Sequence, residues 1–447
     1  MTEKRDAKGL TLPWMDRDRR IRRAVLQPIA GFLQTETAGG IVLLVGAVAA
    51  LGWANSPWNA SYESFWHTEL TITLGPWEIA EDLRHWVNDL LMALFFYVVG
   101  LEIKRELLIG ELRDPRNAAL PAVAAIGGMV VPALIYFAFN PSGDQANGWG
   151  IPMATDIAFA VGVLSLFGKR IPGSLTLFVL ALAIVDDIGA IAVIAIFYTG
   201  SLNLAAGGAA IGLLVLMVAM LRLGIRAGYL YVVLALGVWL ATFESGVHAT
   251  IAGVALGFIT PSTPFHRPEP ATKEAKRLAA LTEGDDPVAR RRIGEWLGLA
   301  RLSRRAISPL THNEEVLHPW TSYLILPLFA FANAGVDIGE ATSSGIGSVA
   351  IGIALGLVAG KILGITAASW LATRTGIGRL PRGIGWGHVV GASAVAGIGF
   401  TVSLFIAGLA FVSADLQSQA KLGVLGGSII AAAIGLGILR AVSRRSG

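Results

Sequence analysis

Cysteine is absent from the 447 residues, which excludes disulfides and thiolate metal centres and says nothing about compartment. Charge is scarce as well: Asp, Glu, Lys and Arg make up 15% of the chain, against roughly 25% in an ordinary soluble domain. The formal net charge of +4 matters less than where the charges lie, and no nucleic-acid partner is expected. A secretory signal is also missing. The first 23 residues carry Lys4, Arg5, Lys8, Arg17, Arg19, Arg20, Arg22 and Arg23 with no early apolar run. Residues 1–34 read as a basic cytoplasmic arm. It is either a disordered tail or a helix lying on anionic lipid through Ile21, Val25, Leu26 and Ile29.

What is present is apolar. The chain is 54% hydrophobic and holds 54 glycines, a content that membrane helices tolerate better than soluble ones. One bilayer crossing takes about 20 apolar residues. Twelve apolar segments are legible, near 38–54, 86–103, 118–139, 149–167, 175–198, 204–221, 228–242, 246–260, 320–335, 348–371, 391–411 and 420–439. Between the first two, alternation around Gly75-Pro76 predicts a short hairpin near 68–79. With the N-terminus placed in the cytoplasm, all 35 Lys and Arg except Arg84, Lys421 and the intrahelical Lys361 fall on the inside, as the positive-inside rule requires. The expected fold is therefore an all-α polytopic membrane protein of twelve transmembrane helices with both termini cytoplasmic. Helices 1–8 occupy 35–260, a cytoplasmic loop 261–319, helices 9–12 320–440 and a cytoplasmic tail 441–447. Within the loop, Ile293, Trp296, Leu297 and Ala300 share one face of a basic helix, which suits either a membrane surface or packing on the protein.

Ionisable groups at mid-membrane depth cost at least ~2.5–3.5 kcal/mol each and usually line an internal site. Asp186 and Asp187 stand in the middle of "LFVLALAIVDDIGAIAVIAIFY". Adjacent helical positions lie about 100° apart, so one carboxylate can face a cavity while the other faces a neighbouring helix. Lys361 stands midway through "AIGIALGLVAGKILGITAASW", too deep to snorkel to the headgroups, and a carboxylate of the pair is its natural partner.

Two further spans carry breaks. "GWGIPMATDIAFAVGVLSLF" places Thr155 and Asp156 after Gly150 and Pro152, and "GASAVAGIGFTVSLFIAGLA" centres on Gly397, Gly399 and Thr401. Unwound stretches of this kind expose carbonyls to a cation. They are the middle members of segments three to five and ten to twelve. Seven crossings separate those triplets, so they run in opposite senses, which is the layout of inverted-topology repeats. Charges buried in such a frame point to ion-coupled transport.

Further stretches make the reading more specific: "WVNDLLMALFFYVVGLEIKREL", "IPMATDIAFAVGVL", "ALAIVDDIGAIAVIAIFYT", "SGVHATIAGV", "LILPLFAFANAGV" and "GIGFTVSLFIAGLAF". With them the chain resembles the NhaA-type sodium/proton antiporters over roughly 35–262 and 314–440. The resemblance implies two crossing interrupted helices, Asp187 as the main cation ligand with Asp186 beside it, and Lys361 paired with Asp186 at rest. It also implies that Thr155 and Asp156 balance the helix dipole ends. Family pH-response positions fall on Glu102, His248 and Glu314, and His318 is a further candidate. The same resemblance implies a multi-pass protein of the bacterial inner membrane, a homodimer joined through the outer hairpin, and cargo of Na+ or Li+ and H+ with no cofactor. Three departures are present: a long 261–319 loop, an extended N-terminal arm, and Glu315 where the family often has His.

The chemistry implied is competition. A cation and a proton contend for the same buried carboxylate oxygens, and exchange follows if the empty, charged site cannot cross. Two protons per cation, hence electrogenic transport, comes from the resemblance. Two rival readings fit the residues less well. A cation channel needs rings of acids or carbonyls from several subunits, and an intramembrane aspartyl protease needs a G-x-G-D motif that the chain lacks.

Overall fold

The computed structural model describes residues 36–74, 77–225, 227–264, 269–282, 296, 298–299, 306–339 and 345–445. The N-terminal arm, the Gly75-Pro76 turn and most of the amphipathic stretch around Ile293 lie outside these. Trp296, within that stretch, is helical and exposed.

The described residues form a mostly helical, polytopic membrane protein. α1 (Glu36–Ala54) and the short α2 (Asn59–Trp66) precede an antiparallel hairpin, β1 (Glu69–Leu74) and β2 (Trp77–Asp82). Glu69 pairs with Asp82 and Leu74 with Trp77, so the hairpin runs three residues beyond the expected 68–79. α3 (Leu83–Leu108), α4 (Pro115–Phe139), the interrupted span Asp144–Ser165, α6 (Gly173–Phe197) and α7 (Leu204–Arg222) follow. Within the interrupted span a 3-10 stretch, Asp144–Met153, is separated from α5 (Ile157–Ser165). Then come α8 (Gly228–Glu244), α9 (Thr250–Ile259), the loop helix α10 (Glu269–Thr282), and α11 (Pro309–Trp320), which continues through a π turn into α12 (Leu326–Asn333). α13 (Ser348–Arg374), α14 (Trp386–Val395), α15 (Phe400–Ala410) and α16 (Ala414–Arg445) complete the chain.

Among the described residues, seven helices are long and apolar enough to cross a membrane, and nine if each of two bent pairs is one span. The pair α14–α15 bends by 47°. One boundary differs plainly from expectation. The ninth apolar segment begins near 320, but its helix begins at Pro309, capped by the Ser308 hydroxyl accepting from Thr311 N at 3.2 Å. Hydropathy registers only the apolar part, whereas a cap and a proline at the first turn start the helix earlier.

The helices pack through glycine. A Cβ on Gly127 of α4 would lie 2.3 Å from the Gly364 carbonyl of α13, and one on Gly364 2.1 Å from the Gly127 carbonyl. The two backbones therefore touch, as small residues allow in membrane interfaces. α3 and α9 meet in the same way, since a Cβ on Gly253 would lie 2.1 Å from the Ala93 carbonyl. These crossings bring α4, α6, α13 and both interrupted spans around one buried point.

Candidate functional site

After its first turn α6 is apolar except at Asp186 and Asp187, so its interior position is set by packing and the two acids are carried inward with it. Asp186 is 1% exposed and Asp187 7%. On α13 a π turn over Gly356–Gly360 ends where Lys361 begins. Its glycines let Pro152 and Pro132 press in, because a Cβ on Gly356 would lie 2.7 Å from the Pro152 side chain and one on Gly360 2.8 Å from Pro132 Cα. That approach delivers Lys361, completely buried, to the break in the first interrupted span.

There the ammonium makes three contacts. Nζ donates to Asp186 Oδ2 at 2.9 Å, to Thr155 Oγ1 at 2.9 Å and to the Met153 carbonyl. All three N–H groups of Lys361 are used. Met153 is the last residue of the 3-10 stretch, so Lys361 also sits where that stretch presents its negative end. Asp186 Oδ1 is buried and has no hydrogen-bond partner among the described residues. Asp187, next along α6, has no ion-pair partner among the described residues, and Asp186, Glu102, Asp156 and Lys361 are its charged neighbours.

The second break completes the arrangement. Asp156 caps α5 by accepting from Phe159 N at 3.1 Å, and its other oxygen accepts from Thr401 N at 3.0 Å and Thr401 Oγ1 at 2.6 Å at the start of α15. One carboxylate thus serves the positive ends of two half-helices. The breaks also bond backbone to backbone, Asp156 N to the Ile398 carbonyl at 2.7 Å, and Thr155 Oγ1 donates to the Ala396 carbonyl at 2.8 Å. Gly397 and Gly399 are needed for this closeness. A Cβ on Gly397 would lie 2.3 Å from the Leu357 carbonyl, and one on Gly399 2.9 Å from the Ala154 carbonyl.

Asp186, Asp187, Thr155, Asp156, Lys361, Gly397, Gly399 and Thr401 therefore share one locality. The pH-response candidates divide. Glu314 is buried and bound to Arg105 at 2.6 Å, and Arg105 also reaches Glu106 at 3.2 Å. Glu102 has Arg105 and Glu314 as charged neighbours, and it also neighbours Asp187, so it links this cluster to the deep site. His318 is exposed. His248 lies apart, between α8 and α9, with a hydrogen bond to the Tyr198 backbone. Sequence reasoning missed the Met153 carbonyl as a Lys361 acceptor and Ser403, whose hydroxyl donates to the Ile151 carbonyl at 2.7 Å. The two prolines and the Gly-x-Gly were the available signals, but neither names a partner.

A cavity of about 690 Å³ is lined by Glu106, Glu111, Arg113, Asp114, Leu177 and Ala181 among others, and by none of the residues of the deep cluster. No group of three His, Cys, Asp or Glu side chains among the described residues is placed to hold a metal ion.

A sequence model of the Na+/H+ antiporter 1 family matches residues 30–439. The chain is 46% identical over 434 residues to a Na(+)/H(+) antiporter NhaA 2 of Sorangium cellulosum, covering 95% of this chain and 92% of that protein. It is 48% identical over 432 residues to a Na(+)/H(+) antiporter NhaA 3 of Frankia alni, covering 95% and 91%. It is 45% identical over 438 residues to a Na(+)/H(+) antiporter NhaA of Acidithiobacillus ferrooxidans, covering 95% and 99%.

Proposed function

Because the chain belongs to the Na+/H+ antiporter 1 family, we propose that its exchange of Na+ for H+ runs at Asp186 and Asp187, where the two cations compete for the same oxygens. Family membership makes the chain a transporter, neither a protease nor a channel. The observation that carries the site assignment is a buried cluster in which every charge but one is matched. Lys361 answers Asp186 and the Met153 carbonyl, and Asp156 answers two half-helix N-termini. Asp187 alone among these has no counter-charge in contact.

A buried carboxylate without a partner is costly, so Asp187 is neutralised by a proton or by a cation, and each excludes the other. Na+ or Li+ is accepted with help from Asp186, which Lys361 releases as the ion arrives. If the freed ammonium gives up its proton, two protons move per cation and transport is electrogenic. Thr155 is within reach of both states because its hydroxyl already touches Lys361. Glu102, Arg105 and Glu314 tune the response to pH from the side of the cavity.

That cavity supports access from the cytoplasm. It lies against Lys- and Arg-bearing segments, the inside signature. Ala181 on its wall precedes Asp187 by six residues, about 9 Å along α6. Twelve crossings are the finer reading of the fold. α8, α9 and the continuous helix α11–α12 add to the nine spans counted by length and bending. α4 to α6 and α13 to α16 are the two inverted repeats, and their middle spans cross at the breaks. The protein resides in the bacterial inner membrane with both termini cytoplasmic. The β1–β2 hairpin joins two copies, a role supported by Leu70 and Ile72, which it leaves exposed.

Asp187→Asn tests the assignment. In everted vesicles the expected outcome is loss of the Na+-driven collapse of ΔpH with the protein still present and folded. Exchange at the wild-type rate overturns it.

A further inference from the structure

The Asp144–Met153 segment is ten residues of 3-10 helix. That geometry has poorer hydrogen bonds than an α-helix and rarely persists beyond three or four residues, so contacts from outside must hold it. Two tyrosine hydroxyls reach its backbone. Tyr136 of α4, fully buried, donates to the Gln145 carbonyl at 2.5 Å. Tyr198, directly after α6, donates to the Asn147 carbonyl at 2.6 Å and accepts from Gly150 N at 3.3 Å. Ser348, which opens α13, donates its proton to Asn140 Oδ1 at 2.7 Å and lies 3.3 Å from Gln145 Oε1. The glycines of this segment admit the hydroxyls. A Cβ on Gly148 would lie 2.4 Å from the Tyr136 oxygen, and one on Gly150 2.8 Å from the Tyr198 oxygen.

The segment is thus tied by these hydroxyls to α4 and to the end of α6, which carries Asp186 and Asp187. Its C-terminal end holds the Met153 carbonyl and leads into Thr155, both in contact with Lys361. We propose that Tyr198, seconded by Tyr136, is a positioning residue for exchange. The hydroxyls fix how far the 3-10 stretch lies along its own axis, and thereby where the Met153 carbonyl and Thr155 hydroxyl stand relative to Asp186. A 3-10 helix advances about 2.0 Å per residue. A slip of a single residue would therefore carry Thr155 Oγ1 out of hydrogen-bonding range of Lys361 and away from an incoming cation. The inference rests on the aspartate pair being the exchange site.

The test uses the full-length protein reconstituted in liposomes, with Na+-dependent proton flux measured over a range of Na+ concentrations. Tyr198→Phe keeps the ring and removes the hydroxyl. The expected result is a rise of about fivefold in apparent KM for Na+, the worth of one net hydrogen bond, with a smaller change in Vmax. Gly150→Ala pushes the same hydroxyl away, so it should raise KM in the wild type and add little in the Tyr198→Phe background, a coupling that a general loss of stability does not produce. Tyr136→Phe is read in the same way should Tyr198→Phe fail to fold. Unchanged KM in the phenylalanine variants, or additive effects of Gly150→Ala and Tyr198→Phe, overturns the proposal. Asp187→Asn in the same liposomes separates the two claims. If it still exchanges, the site assignment itself is wrong. If it is silent while the tyrosine variants keep wild-type KM, only the positioning role is lost.

Discussion

Lys361 and Asp186 meet at 2.9 Å, and so do Arg84 and Glu63. The first pair has both side chains wholly buried in the helix bundle. The second, beside the hairpin, leaves 52% of the Glu63 side chain exposed but only 15% of that of Arg84, so solvent reaches it from the acid's side. The hairpin root gathers a charge cluster of its own. Asp82 accepts from His85 N at 2.8 Å and lies against His85 Nδ1 at 2.7 Å and His67 Nδ1 at 2.9 Å. Equal distances here do not mean equal energies. In water an ion pair contributes little because solvent answers either charge alone. Inside the bundle nothing else can answer it, so breaking one partner costs far more than the pair contributes. The deep cluster is consequently the one that a proton or a cation entering the bundle can reorganise.

Lys361→Ala should show the difference at its largest. It strands Asp186, the Met153 carbonyl and the Thr155 hydroxyl, and the expected cost is ~3–5 kcal/mol, visible as a large fall in the melting temperature of detergent-solubilised protein. Asp186→Ala combined with Lys361→Ala should recover part of that loss. Glu63→Gln, at the same pair distance but on the half-exposed partner, should cost less than ~1 kcal/mol. Comparable losses for Lys361→Ala and Glu63→Gln would erase the contrast.

A smaller effect should appear at Asp82, and its sign with pH is fixed. Burial alone would raise this carboxyl, but the hydrogen bonds from the His85 backbone and from the His85 and His67 rings outweigh it and hold it below the usual carboxylate range. A depressed acid contributes stability that is present above its unfolded value, near 3.9, and is lost as pH falls through its folded value. Asp82→Asn should therefore lower stability by up to about 1 kcal/mol at neutral pH, and the gap from wild type should close in strong acid. A gap that widens on acidification would contradict this. The check is a set of chemical or thermal denaturation curves from neutral pH to pH 3.

The charges in the core were the most legible part of the sequence. Asp186, Asp187 and Lys361 stand out because nothing else in their apolar runs is charged, and Thr155, Asp156, Gly397 and Gly399 because proline and glycine mark the breaks. What joins them was not legible. Asp156 and Thr401 lie 245 positions apart, and a bond between a side chain and a distant backbone amide leaves no periodic trace. The same is true of Lys361 on the Met153 carbonyl and Ser403 on the Ile151 carbonyl. Pro309 escaped for another reason, because its helix starts in polar sequence that a hydropathy window assigns to a loop. Tyr136 and Tyr198 read as ordinary membrane aromatics until their hydroxyls are seen on the backbone.

The most direct measurement is Na+ affinity as a function of pH, on purified protein, with proton release recorded in the same titration. If one carboxylate site serves both ions, apparent affinity must fall as proton concentration rises, approaching tenfold per pH unit for each proton displaced, and Na+ addition must release protons. Affinity independent of pH across the acidic arm, or Na+ bound with no proton released, would contradict competition at Asp186 and Asp187.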